Sequence, residues 1–177
     1  VSKDFAYSPR MQDDIYRMLM DLLDAHSKVI VFLKPKRKLA FDEDLKRSSG
    51  LQRYIDAGRM VVFLGETART KAVAAEIGMA SDLVVSLGIG TTSCECQFAG
   101  VVSFHADLAG FIKNEFGAAG LNRFVFRDLT VLRKSVEKMI DVKPEITAFN
   151  FRSDYLSLDP FQDGKAYLRT GFVLKEI

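Results

Sequence analysis

Five short apolar runs without polar alternation constrain this chain most. They are Val29-Ile-Val-Phe-Leu33, Met60-Val-Val-Phe-Leu64, Leu83-Val-Val85 continuing through Ser86 to Leu87, Val101-Val-Ser-Phe104 and Arg123-Phe-Val-Phe126. A strand with one face in water alternates apolar and polar residues, whereas an unbroken run suits a strand covered on both faces, as in a parallel sheet. Parallel neighbours need a crossover, usually a helix, between them. Helical patterns do separate the runs. Ser8-Pro9 supplies an N-cap and a proline at the first helical position, and Met11, Ile15, Met18, Leu19 and Leu22 then form one apolar stripe. Residues 72–77 are alanine-rich, and Asp128 can cap a helix that buries Leu132, Val136, Met139 and Ile140. The expectation is a single doubly wound α/β domain over residues 1–177: a Rossmann-like, three-layer parallel sheet with helices on both faces. Its five strands are expected to be adjacent. Residues 149–162 read as an irregular strap, and 163–177 as a closing helix weakened by Gly171.

Composition narrows the function classes. Hydrophobic residues at 48% and charged residues at 27% fit a packed globular chain and exclude a disordered one. Lys+Arg at 25 against Asp+Glu at 23 is too balanced for a polybasic nucleic-acid or membrane binder. No apolar run reaches the roughly 18 residues of a membrane helix. The start, Val1-Ser-Lys-Asp-Phe-Ala-Tyr7, has neither the basic n-region and apolar core of a signal peptide nor an initiator Met. A trimmed first residue or a piece of a longer protein would both explain it. Cys94 and Cys96 are two apart, too few for a structural zinc site and too close for an unstrained disulfide, so they read as packing thiols in a reducing compartment. No metal is expected, and the expected location is the cytoplasm.

Open α/β sheets bind ligands at the carboxyl ends of their strands. The third run leads into Leu87-Gly88-Ile-Gly90-Thr91-Thr92-Ser93-Cys94-Glu95. Gly88 and Gly90 allow backbone to approach a ligand, and the N–H groups of a helix opening with Thr91, Thr92 and Ser93 can hold a phosphate. Glu95, one turn in, can accept hydrogen bonds from sugar hydroxyls. An ordinary glycine turn before a capped helix would look the same. Gly88-x-Gly90-x-x-Ser93 also narrowly misses the dinucleotide fingerprint, with Asp107 near the spacing of a ribose-binding acid, but that fingerprint belongs to a first strand and two strand–helix units precede this one. Lys34, Lys36, Arg37 and Lys38 follow the first run, and Lys34 and Lys36 stand nearest its end, where they can face a diphosphate on the same rim. His105 and Asp107, after the fourth run, are candidates for acid–base work or for a buried hydrogen-bonded pair.

The segment Ser81-Asp-Leu-Val-Val-Ser-x-Gly88, with Thr91, Ser93, Glu95 and Ala99-Gly100-Val, resembles the nucleotide-binding half of GT-B glycosyltransferases, the peptidoglycan N-acetylglucosaminyltransferases among them. A second likeness is to bacterial surface-polysaccharide and CDP-glycerol transferases. Val31-Phe-Leu-Lys-Pro-Lys36 is similar to their strand ending in a basic-x-His-Pro motif, and Leu158-Asp-Pro-Phe-Gln-Asp-Gly-Lys165 to their Asp-Pro-Phe/Tyr-Arg-Asp-Gly-Lys tail. Lys36 replaces the histidine, and Gly88-Ile-Gly-Thr-Thr replaces an Asp-Tyr-Ser-Ser loop. The resemblance implies the donor half of a GT-B fold, in which the helix start (Thr91, Thr92, Ser93) meets the donor diphosphate and Glu95 the ribose hydroxyls. The donor would be a UDP- or CDP-linked sugar, with no further cofactor. The half would be inactive without an N-terminal acceptor-binding domain, in the same chain or a partner subunit. Surface-polysaccharide biosynthesis would set it at the inner face of the membrane, peripherally. Two other functions fit the same residues: a nucleotide-sugar 2-epimerase-like domain, and a NAD- or nucleotide-binding module without catalysis.

Overall fold

The computed structural model describes residues 8–64, 73–111 and 115–141. The strap and closing helix read at 149–177, including the 158–165 motif, lie outside these residues. Helix α1 (Pro9–Ala25) begins as its sequence dictates, with Ser8 at the N-cap accepting the Met11 N–H at 3.3 Å and Pro9 opening the first turn. Replacing Ser8 with alanine should cost about 1 kcal/mol, read as a lowered urea midpoint with an unchanged slope.

Strand β1 (Val31–Leu33) follows, then α2 (Lys38–Arg47), α3 (Leu51–Asp56) and β2 (Met60–Val62). The second half runs α4 (Ala74–Met79), β3 (Leu83–Leu87), α5 (Thr91–Phe98), β4 (Val102–Ala106), α6 (Glu115–Gly120), β5 (Val125–Phe126) and α7 (Leu129–Asp141). The protein is a mixed α/β fold with parallel pairing throughout these strands. β1 pairs with β2 from Val31 opposite Met60, β3 with β4 from Leu83 opposite Val102, and β4 with β5 from His105 opposite Val125.

One expectation is corrected. The five strands do not form one ladder but two small sheets, β1–β2 and β3–β4–β5. Apolar runs mark where strands are; which edges meet is decided by packing. Helix α1 serves both halves. Met18 and Leu22 pack with Phe104, Phe116, Phe124, Phe126, Leu132 and Val136 over the three-stranded sheet, while Leu23 packs with Leu51, Tyr54 and Met60 under the two-stranded one. Helix α7 lies on the first of these cores. Asp128 Oδ1 accepts the N–H groups of Thr130 and Val131 at 2.7 and 3.0 Å, as its capping position required.

Helices α2 and α3 carry no apolar stripe that a periodicity search would find, because polar contacts hold much of α2. Its buried residues are Phe41 and Asp44. Asp44 accepts the Tyr16 hydroxyl at 2.8 Å and pairs with Arg47, whose Nε also lies 3.4 Å from Asp13. Burial, then the hydrogen bond to Asp44, hold the Tyr16 phenol protonated far above its ordinary range. Arg59 fastens the other end of α1: its guanidinium donates to the carbonyls of Leu23, His26 and Val29 at 3.0, 2.7 and 2.9 Å. It thereby satisfies acceptors that a helix end leaves over and ties them to the start of β2.

Candidate functional site

Strand β3 delivers the chain into the glycine turn. Gly88 has φ 75°, a left-handed conformation that costs glycine little and other residues more. Its N–H donates to the Ala106 carbonyl at 2.9 Å, carrying the β3–β4 pairing one step past the strand. Gly90 is extended, with φ −104° and ψ 149°, and a Cβ placed there would meet only Ser93 Oγ, at 3.8 Å. Gly88 is therefore required by the backbone, and Gly90 is not. Helix α5 starts at Thr91 with no side chain capping it. The N–H groups of Thr91, Thr92 and Ser93 belong to the turn that helix geometry leaves without intrahelical acceptors. Thr91 is exposed and Thr92 half-buried.

Behind the turn lies a buried polar cluster. Parallel pairing sets Ser86 of β3 opposite His105 of β4. Ser93 and Gln97, four apart on α5, turn the same helix face toward them. Ser93 and His105 are fully buried, and Gln97 is 7% exposed. His105 Nδ1 stands 3.2 Å from the hydroxyls of both Ser86 and Ser93, and Nε2 stands 3.1 Å from Gln97 Oε1. Ser86 Oγ donates to the Gly88 carbonyl at 2.7 Å; Ser93 Oγ lies 2.9 Å from both the Gly90 carbonyl and Ser86 Oγ. Phe116 meets the imidazole edge-on at 5.5 Å. Burial lowers the His105 pKa to about 4, opposed in part by a hydrogen bond to the Gly88 carbonyl. The ring is neutral at physiological pH.

The other sequence-derived candidates fall in several places. His105 is the fourth residue of β4 rather than a residue beyond it, because the strand runs on to Ala106. Asp107 follows directly and is buried. Its carboxylate accepts the Phe111 N–H at 2.9 Å and lies 3.2 Å from Arg127 Nε, which ties the turn after β4 to the end of β5. Glu95 is exposed on α5, opposite the face formed by Ser93, Cys96 and Gln97. Cys96 is buried against α4, and Cys94 is half-buried. Both are free thiols, with pKa values raised by burial and then by the Glu95 charge. Lys34 and Lys36 follow β1, the first half-buried and near the Pro35 carbonyl, the second exposed. Among the described residues no hydrogen bond joins either lysine to the glycine turn.

Ser86 and Gln97 are the members that sequence reasoning missed. Gln97 had a readable signal, since it repeats Ser93 at i+4 on a helix starting at Thr91. Ser86 had none, because its place opposite His105 depends on strand register. None of the protein-family models, characterised proteins or solved structures compared with the chain matches it.

Proposed function

We propose that this chain is a nucleotide-sugar-binding domain, the donor half of a glycosyltransferase acting on a UDP- or CDP-linked sugar in bacterial surface-polysaccharide synthesis, with a Rossmann-like three-layer architecture. The observation that carries the reading is the β3–Gly88–Gly90–α5 unit. A glycine turn at the carboxyl end of a parallel strand hands over to an uncapped eight-residue helix whose first residues are Thr91 and Thr92. The N–H groups and the positive end of the helix favour a diphosphate there. Ser93 has its hydroxyl turned inward, so it contributes through its backbone, and the hydroxyl contacts fall to Thr91 and Thr92. Glu95, exposed one turn on, accepts from the ribose diol. Lys34 and Lys36 add positive charge from the β1 end. His105 and Asp107 are enclosed and hydrogen-bonded within the fold, which suits a donor half whose catalytic base comes from an acceptor-binding partner. No helix among the described residues is long and apolar enough to cross a membrane, and the reading sets any membrane contact as peripheral.

Calorimetry with UDP and CDP tests the reading. Carboxylate hydrogen bonds are worth about 1.5–3 kcal/mol each, so Glu95→Gln should weaken nucleotide binding roughly tenfold or more without lowering the melting temperature. Gly90→Ala should likewise fold normally, since its backbone is extended, and should lose affinity where the phosphate rests against this residue. Absence of binding by either nucleotide, or preference for NADH over both, would overturn the donor reading.

A further inference from the structure

We infer that His105 is a positioning residue that holds the Gly88–Ser93 turn in its ligand-ready shape from beneath. The functional half of this inference rests on the reading of that turn as the phosphate site. Five observations support it together. The imidazole is fully buried, so it fills the space below the turn and does not face a ligand. Its Nδ1 stands 3.2 Å from both serine hydroxyls. Those two hydroxyls reach the carbonyls of Gly88 and Gly90, the two glycines of the turn. The main chain of His105 is itself pinned, its N–H donating to the Phe124 carbonyl at 2.7 Å. Finally, ring contacts with Phe116 and Phe124 fix the plane of the imidazole.

The chain of contacts is therefore continuous from Phe124, just before β5, through His105 to the two serines and onto the turn. Each step is short and enclosed, where hydrogen bonds are stronger and unpaired groups more costly than in water. A neutral imidazole has one nitrogen that donates and one that accepts. A serine hydroxyl has one hydrogen, so Ser86 and Ser93 cannot supply the Gly88 carbonyl, the Gly90 carbonyl and an accepting Nδ1 all at once. Placing the proton on Nδ1 removes that conflict, because the ring then donates toward the serine oxygens and both hydroxyl hydrogens remain for the glycine carbonyls. With the proton on Nδ1 the ring's Nε2 is an acceptor 3.1 Å from the Gln97 Oε1 position, so the Gln97 amide has to be turned over to donate there through its NH2, which otherwise has no partner among the described residues. The nitrogen that matters for the turn is Nδ1.

This geometry separates three substitutions. Asparagine carries a polar atom near the place of Nδ1, glutamine near the place of Nε2, and phenylalanine keeps the ring without either nitrogen. Amide hydrogen exchange over residues 86–93, measured without ligand, reads the turn directly. His105→Phe should keep a cooperative fold while exchange in this segment speeds up at least tenfold and exchange in β1 and β2 stays as in the wild type. His105→Asn should restore much of the protection, and His105→Gln little. A residue that merely filled the core would show the opposite order, with phenylalanine the best tolerated. Ser86→Ala supplies the same test should His105→Phe fail to fold, since it removes one link and leaves the ring in place. Unchanged exchange over 86–93 in a folded His105→Phe or Ser86→Ala protein overturns the inference. UDP calorimetry on the same proteins tests the functional half: affinity should fall at least tenfold wherever the turn has loosened, and a loosened turn with wild-type affinity overturns that half. A wild type that binds no UDP overturns the phosphate reading, while the exchange data still decide whether His105 holds the turn.

Discussion

Phe124→Ala is expected to destabilise the fold by about 3–5 kcal/mol, the range for emptying a fully buried aromatic site. The ring is wholly enclosed, with its centroid 4.9 Å from that of Phe116 and 6.4 Å from that of His105. It also lies against Gly120 so closely that a Cβ added there would come within 2.6 Å of its Cζ. The site has little freedom to collapse. Phe124 is held on three sides: its N–H donates to the Gly120 carbonyl at 2.9 Å, its own carbonyl accepts from His105, and β5 starts at the next residue. Surrounding atoms cannot move in to close the cavity without breaking these bonds, so the cost should sit near the upper end of the range. Urea unfolding followed by circular dichroism checks it, and a loss under 1 kcal/mol would mean that the turn between α6 and β5 is far more pliant than these contacts indicate. Gly120→Ala tests the same contact from the other side and should also destabilise, because the new methyl runs into the Phe124 ring.

Acid should weaken the fold more than an ordinary surface histidine would allow, with an expected loss of up to about 3 kcal/mol between pH 6.5 and pH 4. His105 is held neutral by burial, with a folded pKa of about 4, while the unfolded chain protonates near the ordinary value of 6.5. Between these values the unfolded state binds the extra proton, so stability rises with pH across the window and falls as pH is lowered through it. Well above pH 6.5 the histidine is neutral in both states and contributes no slope. Carboxylates titrate at the lower end of the same range, so the comparison that isolates the histidine is the pH profile of wild type against His105→Phe. The variant should be flatter between pH 6.5 and 4.5. Parallel profiles would mean that the imidazole accepts its proton inside the fold at the usual pH, and that its enclosure is looser than the contacts with Phe116 and Phe124 indicate.

Much of the local structure is legible in the sequence. Ser8-Pro9 opened α1, Asp128 capped α7, and the run at 83–87 led through a glycine turn into a helix opening at Thr91. Each depends on interactions within a few residues, which linear sequence displays. The charged helix α2 was not legible, because the partners of Asp44 and Arg47 include Tyr16 and Asp13 on another helix, and no apolar period betrays them. The apolar run predicts a β4 ending at Phe104, two residues short of its end at Ala106. A histidine looks like the end of an apolar run until Ser86, Ser93 and Gln97 are seen to satisfy it.

The mixed α/β character and the position of the turn follow from local sequence. Unalternated runs separated by helical patterns point to parallel strands, but the cover expected on both faces is incomplete, since Phe32, Val61 and Leu87 stay exposed; Gly88 takes a backbone conformation that suits glycine. Tertiary structure alone decided how five strands divide into two sheets, and which side chains face inward from the candidate site. Thr91 and Thr92 could be read as ligand-facing from order along the chain. The inward turn of Ser93, and the placing of Ser86 against His105, depend on strand register and helix rotation. Those are set by long-range packing of Phe104, Phe116, Phe124 and Phe126, a free energy shared among distant residues that no single stretch of sequence carries.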